Sequence, residues 1–309
     1  MMYQAHEQKS FLGWMRETGN MFTGDEYHQR FGIWLSNKRL VQQHNAANGG
    51  FVLAMNKLAH LSPSEYKALL GFKNEKRSDR VKPIASNYVA PASIDWREKG
   101  VVNPIKDQGQ CGSCWTFSTI QAMESQWAVK HTKLYSLSEQ NLVDCVTTCY
   151  GCNGGLMELA YDYVKTYQKG KFMTEADYPY KAIDQSCKFN AAKVAEPTVT
   201  GYITVTEGDE KDLMNKVAQY GPAAIAIDAS HYSFQLYSSG IYDESSCSPE
   251  GLDHAVGCVG YGSEGSKNYW IVRNSWGVSW GEKGYIRMIK DKNNQCGEAS
   301  AACIPTVSA

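Results

Sequence analysis

The chain is organised around one stretch, Gln108-Gly109-Gln110-Cys111-Gly112-Ser113-Cys114-Trp115-Thr116-Phe117. Apolar residues continue from it three or four positions apart, at Phe117, Ile120, Met123 and Trp127. This spacing predicts a helix with Cys114 in its first turn. The unpaired N–H groups and the positive dipole end at a helix start stabilise a thiolate, which lowers the pKa of a cysteine there. The pattern therefore predicts that Cys114 is a catalytic nucleophile.

Three other interpretations fit the same cysteines. A C-x-x-C pair can be redox-active, as in thioredoxin-like proteins. The stretch Cys149-Tyr150-Gly151-Cys152 supplies a second C-x-x-C, and two such pairs can hold a zinc ion. The cysteines can also be purely structural. The loop by itself does not decide among these alternatives.

The composition is that of an ordinary globular protein. The chain has 309 residues, 43% hydrophobic and 20% charged, a length that suggests about two domains. Its net charge of −1 gives no reason to expect nucleic acid or an anionic membrane as a partner. No apolar run is long enough to span a bilayer, and residues 1–16 lack the apolar centre of a signal peptide. Neither a membrane span nor a signal peptide is therefore visible.

The cysteines divide the chain into two parts. All ten lie at or after Cys111, and residues 1–110 have none. Ten cysteines in about 200 residues indicate an oxidising compartment and several disulfides, although counting does not give their pairing.

The first part has a helical pattern over residues 1–72, followed by a linker. Thr23-Gly24-Asp25-Glu26 has the form of a capping box, and residues 45–50 end the helix that follows it. Ser62 and Pro63 mark the start of another short helix. Residues 73–89 are basic and contain proline, which predicts an exposed linker open to cleavage.

The second part mixes helices and strands. Helices are expected from Ser138 and over residues 156–167. Beyond residue 198 strand-like runs dominate: 199–205, 223–228, 254–261, 269–272 and 284–289. A helical half followed by a sheet-rich half predicts two lobes, with an active site where they meet.

A cysteine nucleophile needs a base and a group that orients it. His254 opens an apolar strand, and Asn274 directly follows another one. If the two strands are neighbours, these side chains can meet. Asp253 is a poor alternative partner, because adjacent residues of a strand point to opposite faces. We therefore predict that His254 is the base and that Asn274 orients it.

These motifs together resemble the papain family of cysteine proteases, and within it the cathepsin L group. The resemblance lies in Gln108 with Cys111-Gly-Ser-Cys114-Trp, Cys152-Asn-Gly-Gly155, Leu252-Asp-His254-Ala and Asn274-Ser-Trp276-Gly-x-x-Trp280-Gly. The stretch from Glu26 to Asn45 is similar to the helix motif of the cathepsin L pro-region. The resemblance covers nearly the whole chain. One departure is His60, which stands where a second pro-region motif usually has aspartate, so the usual acid trigger is not carried over.

The resemblance implies an α+β, papain-like two-lobe fold preceded by a helical inhibitory pro-domain. Residues 1–89 would be the pro-region with its linker, and residues 90–309 the mature protease. The helical left lobe would cover about residues 100–202, and the β-barrel-like right lobe about 203–309 together with the mature N-terminus. The pro-region would dock on the mature part, with the stretch near Leu70–Lys82 running through the cleft backwards. No cofactor and no metal are implied.

The resemblance also assigns roles. Cys114 would attack the scissile carbonyl as a thiolate paired with the imidazolium of His254, and Asn274 would hold the imidazole. The Gln108 side-chain amide and the Cys114 N–H would bind the oxyanion. Trp276 would shield the His254–Asn274 contact, although plain core packing explains it nearly as well, and Trp280 would line the leaving-group side.

Family pairing implies the disulfides Cys111–Cys152, Cys145–Cys187 and Cys247–Cys296. This pairing takes one cysteine from each C-x-x-C and so disfavours the zinc and redox interpretations. Cys149, Cys258 and Cys303 are left over, and Cys258 lies in an apolar strand as expected of a buried thiol.

Substrate preference would follow from the pocket for the residue second upstream of the cut bond. The matching positions are apolar, with Asp253 near the rim: Leu156, Met157, Ala226, Leu252 and Ala301. A basic side chain there would lose its hydration without a partner, so Leu or Phe is expected. Gly154 and Gly155 leave room for substrate backbone to pair as an extra strand. The lack of a large insertion between Cys114 and His254 indicates an endopeptidase.

The resulting hypothesis is a cysteine endopeptidase zymogen that is activated by removal of its pro-region. Its partners would be protein and peptide substrates, its own pro-region as intramolecular inhibitor, and cystatin-type inhibitors. It would act as a monomer in a lysosome-like acidic compartment or after secretion. The alternative is a non-catalytic homologue that keeps the fold for binding.

Overall fold

The computed structural model describes residues 5–47, 49–75, 81–84 and 88–309. The helices are α1 (Ala5–Thr18), α2 (Gly24–Ala46), α3 (Pro63–Lys67), α4 (Cys114–His131), α5 (Glu139–Cys145), α6 (Met157–Tyr167), α7 (Glu210–Tyr220) and α8 (Tyr232–Gln235). The strands are β1 (Phe51–Leu53), β2 (Ile94–Asp95), β3 (Lys171–Met173), β4 (Val194–Thr204), β5 (Ala223–Ile227), β6 (Tyr237–Tyr242), β7 (His254–Glu264), β8 (Lys267–Arg273), β9 (Tyr285–Lys290) and β10 (Ala302–Val307). Short 3₁₀ turns cover Trp96–Lys99, Gly151–Asn153 and Ala191–Lys193.

Helices α1 and α2 pack through aromatic side chains. The Phe11 ring lies 5.3 Å from Phe31 and 5.4 Å from Trp34, and all three side chains are buried. Helix α2 ends at Ala46, as residues 45–50 predict. The capping box predicted at Thr23 is wrong: the Thr23 side chain makes no capping hydrogen bond, and Glu26 lies 3.5 Å from Arg30 instead.

The pro-region is less helical than residues 1–72 suggest. Strand β1 has a buried–exposed–buried pattern and pairs antiparallel with β6, far away in the chain. The short helix from Ser62 is confirmed as α3, with a complete capping box between Ser62 and Glu65 and with Pro63 at its start. Two predictions fall partly outside the described residues. They are the exposed linker, at positions 76–80 and 85–87, and the helix end, at position 48.

Helix α4 runs through the middle of the molecule. It packs against β7 and β10 and against α5 and α6. Its residues from Cys114 to Ala128 are all buried, so it buries far more than the single face that the apolar spacing predicts. Helix α5 begins after Ser138, whose hydroxyl accepts a hydrogen bond from the Asn141 N–H, as predicted.

One sheet joins the strands in the order β1-β6-β9-β8-β7-β5-β10-β4-β3, with β2 paired to β7. The five predicted strand runs are confirmed as β4, β5, β7, β8 and β9 within a few residues, while β6 and β10 were not predicted. Buried side chains form two hydrophobic clusters, one around α4–α6 and the other around β6–β9 together with the pro-region aromatics. The α+β expectation is confirmed, and the candidate site lies where these clusters meet.

The pro-region should dock less tightly in acid because of His60. The His60 ring is half-buried against Trp14 and Phe22, at 5.7 and 5.3 Å, and Nδ1 lies 2.9 Å from the Lys57 carbonyl oxygen. Burial lowers the pKa of His60 below its usual 6.5, with Arg30 adding to the effect. The docked pro-region therefore binds fewer protons than the released one. Docking is fully stable above pH 6.5 and weakens as the pH falls below that value.

The measurement is the pH of half-maximal pro-region release, followed by intact mass. His60→Gln removes the titrating group and should shift this pH downwards. His28→Gln, at an exposed position of α2, is the matched control and should leave it unchanged. Equal midpoints for His60→Gln and the wild type would contradict the role of His60.

Candidate active site

Cys114 is the first residue of α4, as the sequence predicts, and it is fully buried. Its Sγ accepts hydrogen bonds from the Gly71 N–H at 3.2 Å and from the Ala255 N–H at 3.4 Å. Gly71 belongs to the predicted pro-region and Ala255 to β7. The thiol therefore lies at a junction of three parts of the chain: the start of α4, the start of β7 and the segment after α3.

His254 and Asn274 meet because β7 and β8 are antiparallel neighbours, with Gly257 opposite Arg273. The start of β7 and the residue after β8 consequently lie at the same end of the sheet. His254 Nε2 is 2.8 Å from Asn274 Oδ1. The Trp276 ring stacks on the imidazole with centroids 4.8 Å apart, so it covers this hydrogen bond. Both residues of the pair are buried.

Asp253 is turned away from His254, as alternation along the strand requires. Its Oδ1 accepts a hydrogen bond from the Ala229 N–H at 2.9 Å. Burial raises the pKa of Asp253 to about 6. Trp280 packs T-shaped against Trp276 at 5.2 Å and donates from Nε1 to the Gln235 carbonyl oxygen. Trp280 therefore supports Trp276 from behind, and its place on the leaving-group side stays a prediction.

Gln108 has a fixed amide orientation. Its Oε1 accepts hydrogen bonds from Ser275 Oγ at 2.7 Å and from Trp276 Nε1 at 3.1 Å. Its Nε2 donates to the carbonyl oxygens of Leu69 at 2.9 Å and Cys111 at 2.8 Å. The amide therefore directs its N–H groups at the carbonyl oxygens of Leu69 and Cys111. Sequence reasoning missed Ser275, although its position between Asn274 and Trp276 was the available signal.

A segment of the pro-region lies in the cleft beside these groups. Gly155 donates to the Gly71 carbonyl oxygen at 2.9 Å and accepts from the Lys73 N–H at 3.0 Å, so Phe72 pairs with Gly155 in a parallel bridge. The Phe72 N–H donates to the Asp253 carbonyl oxygen at 3.0 Å. Gly155 thus pairs with an extended chain, while the backbone groups of Gly154 bond to Gly151 and Tyr150. That a substrate would run in the opposite direction to this segment stays a prediction.

Phe72 lines the apolar pocket that is predicted to bind the substrate residue second upstream of the cut bond. Leu156, Leu252 and Ala301 line this cavity of about 520 Å³ together with Phe72. Met157 and Ala226 are buried in the same hydrophobic cluster. The cavity also has acidic residues on its wall that sequence reasoning missed: Glu75, Glu158, Glu207 and Glu250. They come from separate parts of the chain, and no local motif indicates them.

The ionisation predicted for the thiol does not hold in this form of the protein. Burial raises the pKa of Cys114 to about 12, and it lowers the pKa of His254 to about 4, against the opposing effect of the Asn274 hydrogen bond. The low thiol pKa that the helix start predicts is therefore opposed by desolvation, while the N–H groups of Ala255, Gly71 and Trp115 act in the opposite direction. A neutral thiol and a neutral imidazole are the stable pair under this cover.

The comparisons with known proteins agree with this geometry. A model described as papain family cysteine protease matches residues 90–306, and a cathepsin propeptide inhibitor domain matches residues 11–66. The chain belongs to the papain family of cysteine proteases. Together the two matches show a cathepsin L-like zymogen with an inhibitory pro-region.

Several relatives are similar in sequence to this chain over nearly its whole length. Cathepsin L of Sarcophaga peregrina is 46% identical, covering 92% of this chain and 88% of the relative. Procathepsin L of Mus musculus is 45% identical, covering 96% and 91%. Among solved structures, the digestive procathepsin L 3 of the Tenebrio molitor larval midgut has a TM-score of 0.89 at 36% identity and covers 98% of this chain and 100% of its own. The papain-like fold is thus confirmed.

The cysteines of this papain-family protein divide into three disulfides and four thiols. The bonds join Cys111 to Cys152, Cys145 to Cys187 and Cys247 to Cys296, which are the pairs that the resemblance implies. The buried thiols are Cys114, Cys149, Cys258 and Cys303. Asp228, His231 and Cys247 lie close enough together to suggest a metal site, but the Cys247 sulfur is in a disulfide. The C-x-x-C pairs are likewise occupied by the Cys111–Cys152 bond.

Gly71 should be essential for keeping the thiol covered. A Cβ at this position would lie 1.8 Å from the carbonyl oxygen of Gly112, so any side chain would push the segment out of the cleft. We expect the zymogen with Gly71→Ala to react at Cys114 with an epoxysuccinyl thiol trap at neutral pH, while the wild-type zymogen does not.

The matched control is Gly32→Ala in α2, where an added Cβ meets nothing within 4 Å. Labelling is read by intact mass in samples whose pro-region is still attached. If Gly71→Ala stays as unreactive as Gly32→Ala, the close approach at Gly112 is not what protects the thiol.

Proposed function

We propose that Cys114, His254, Asn274 and Gln108 carry out peptide-bond hydrolysis once the pro-region leaves. The observation that carries this proposal is the way the pro-region occupies the site. Gln108 Nε2 donates to the Leu69 carbonyl oxygen, while the Gly71 N–H contacts the Cys114 sulfur. A peptide carbonyl thus sits against the amide donor beside the thiol, which is where a substrate carbonyl would be polarised.

The reaction follows from these positions. Without the cover, water and the helix start favour the thiolate of Cys114 and the imidazolium of His254. The thiolate forms a bond to the carbonyl carbon, and the oxyanion accepts hydrogen bonds from Gln108 Nε2–H and the Cys114 N–H. His254 then gives its proton to the leaving nitrogen, and the C–N bond breaks to leave a thioester. Water attacks the thioester while His254 takes its proton, the C–S bond breaks, and the carboxylic acid product departs and leaves the Cys114 thiolate and the His254 imidazolium as at the start.

Asn274 acts through its Oδ1, which accepts a hydrogen bond from His254 Nε2–H and also from the Ser275 N–H at 2.8 Å. This second contact fixes the amide, so the imidazole keeps one ring orientation. Trp276 shields the pair from water by stacking on the ring. Trp276 also makes a T-shaped contact with Tyr66 of the pro-region, with ring centroids 5.7 Å apart.

The substrate would be a protein cut as by an endopeptidase, with a bulky apolar residue second upstream of the cut bond. Phe72 supports this preference, because an aromatic side chain of the pro-region already contacts Leu156, Leu252 and Ala301 around that pocket. Gly154 and Gly155 would hold the substrate backbone through the hydrogen bonds that Gly155 now makes to the pro-region. Asp253 would lie at the rim.

We place the boundary of the pro-region near residue 89 and the boundary between the lobes near residue 202, within β4. In the described part of the chain no helix has the length and apolar character of a membrane span. We propose a monomer that works in an acidic, lysosome-like compartment or outside the cell, with cystatin-type proteins among its inhibitors.

The test is intact mass after mild acid incubation with an epoxysuccinyl trap, with Cys114→Ser as control. We expect loss of about residues 1–89 and one label at Cys114 in the wild type, with neither in the control. If the pro-region stays, an added protease removes it, and absence of label at that point would contradict the proposed nucleophile. Cleavage rates are then compared for peptide substrates with Leu, Phe or Arg second upstream of the cut bond. Faster cleavage of the Arg peptide would contradict the apolar assignment.

Replacing Gln108 should slow the chemical step. Gln108→Ala removes one oxyanion donor, and such a loss typically lowers kcat by about 10²–10³. We expect KM for a peptide substrate to stay nearly unchanged, because the donor acts mainly on the charge that develops in the transition state. Gln110→Ala, on the exposed part of the same loop, is the control. Equal kcat values for the two variants would contradict the role of Gln108 as an oxyanion donor.

A further inference from the structure

A small cavity lies behind the His254–Asn274 pair. It has a volume of about 10 Å³ and is lined mainly by residues of α4, the start of β7 and the end of β8. Gln121, Arg273 and Asn274 are among its lining residues, and they are only 4%, 6% and 2% exposed. The chemistry proposed above uses Asn274, but it does not use Gln121 or Arg273.

Each of these three side chains has one buried polar atom with no hydrogen-bond partner in the described part of the chain. The atoms are Gln121 Oε1, Arg273 Nη1 and Asn274 Nδ2. Leaving a buried donor or acceptor unpaired is costly, so such atoms in folded proteins are nearly always satisfied by something. Three of them around one cavity indicate a common partner.

Another polar atom of each of these side chains is already engaged. Gln121 Nε2 donates to the Ala223 carbonyl oxygen at 3.0 Å, and Arg273 Nη2 donates to the Pro104 carbonyl oxygen at 2.7 Å. Asn274 Oδ1 accepts from His254 and from the Ser275 N–H. The orientation of each group is therefore set, and rotating one to satisfy its free atom would break an existing bond.

The size and polarity of the cavity select its occupant. A space of about 10–15 Å³ holds one water molecule, which in protein interiors makes about three hydrogen bonds. The two donors and one acceptor here match the two lone pairs and one O–H of water. The acceptor Gln121 Oε1 disfavours an anion, and the guanidinium of Arg273 disfavours a cation. Lys106 and Glu139, which also line the cavity, bind each other at 2.8 Å.

The backbone leaves room for this arrangement at Gly257 of β7. A Cβ on Gly257 would lie 2.5 Å from the Gln121 side-chain amide carbon, so a larger residue would displace the Gln121 amide from the cavity. Gly257 is also paired with Arg273 across β7 and β8. The same backbone register therefore places both Gln121 and Arg273 next to Asn274.

We propose that this cavity binds one ordered water molecule, which holds the Asn274 amide and makes Gln121 and Arg273 positioning residues for the His254–Asn274 pair. The role of Asn274 in this inference rests on the proposed function. Asn274 Nδ2 and Arg273 Nη1 donate to the water oxygen, and the water donates to Gln121 Oε1. With Nδ2 held in this way, Oδ1 stays towards His254. A flipped amide would present a donor to the His254 Nε2–H and lose the bond that orients the ring.

The first test needs no activity. A crystal structure of the zymogen at about 1.3 Å should show a density peak within about 2.7–3.2 Å of Gln121 Oε1, Arg273 Nη1 and Asn274 Nδ2. An empty cavity, or direct hydrogen bonds among the three side chains, would overturn the proposal. Because this result does not depend on catalysis, it stands even if the proposed protease activity fails.

The second test separates positioning from general stability. Gln121→Met removes the acceptor at similar volume, and Gln126→Met is the matched control. Gln126 is another buried glutamine of α4, which donates to the Pro222 carbonyl oxygen and does not line the cavity. With the activated enzyme, we expect kcat to fall up to about a hundredfold in Gln121→Met at unchanged KM, as for a misplaced catalytic group.

The pH profile gives a readout that loss of stability alone would not move. A weaker Asn274–His254 hydrogen bond favours the neutral imidazole, so the alkaline limb of kcat/KM should shift to lower pH in Gln121→Met. Gln126→Met should keep the wild-type limb. Water density in the zymogen together with equal kinetics for the two variants would show that the water does not position Asn274, and would overturn that part of the proposal.

Discussion

The candidate active site depends on one contact, the meeting of the α4 N-terminus with the start of β7. Cys114 is fixed by the helix, and the Ala255 N–H of the strand reaches its sulfur at 3.4 Å. The helix belongs to one hydrophobic cluster and most of the sheet to the other. Because each core is packed independently of the chemistry, the thiol and the imidazole are positioned by rigid elements rather than by a loop.

The sequence predicted the groups whose placement depends on nearby residues. Cys114 at a helix start, His254 at a strand start and Asn274 after a strand were all readable from local spacing, and α3 from its capping box. The antiparallel pairing of β7 and β8 then made the juxtaposition of His254 and Asn274 follow. Alternation along a strand was also enough to set Asp253 aside.

Other features depended on distant parts of the chain. Strand β1 has only three residues and forms because β6 is available to pair with it. The capping box predicted at Thr23 does not form, and Glu26 pairs with Arg30. The pKa of the Cys114 thiol departs from the prediction because it depends on burial, about which a helix start carries no information. The cavity behind Asn274 likewise needs the register of β7 on β8, which no motif contains.

Strand β1 belongs to the pro-region and pairs with β6, so removal of the pro-region also changes the sheet, away from the catalytic groups. In the zymogen β6 is an interior strand, with β9 on one side and β1 on the other. When the pro-region leaves, β6 becomes an edge strand, and backbone groups at Tyr237, Ser239 and Gly240 lose their partners. Activation therefore exposes a short template for strand addition at the same time as it opens the cleft. The activated enzyme thus has an unpaired sheet edge at β6 as well as an open cleft.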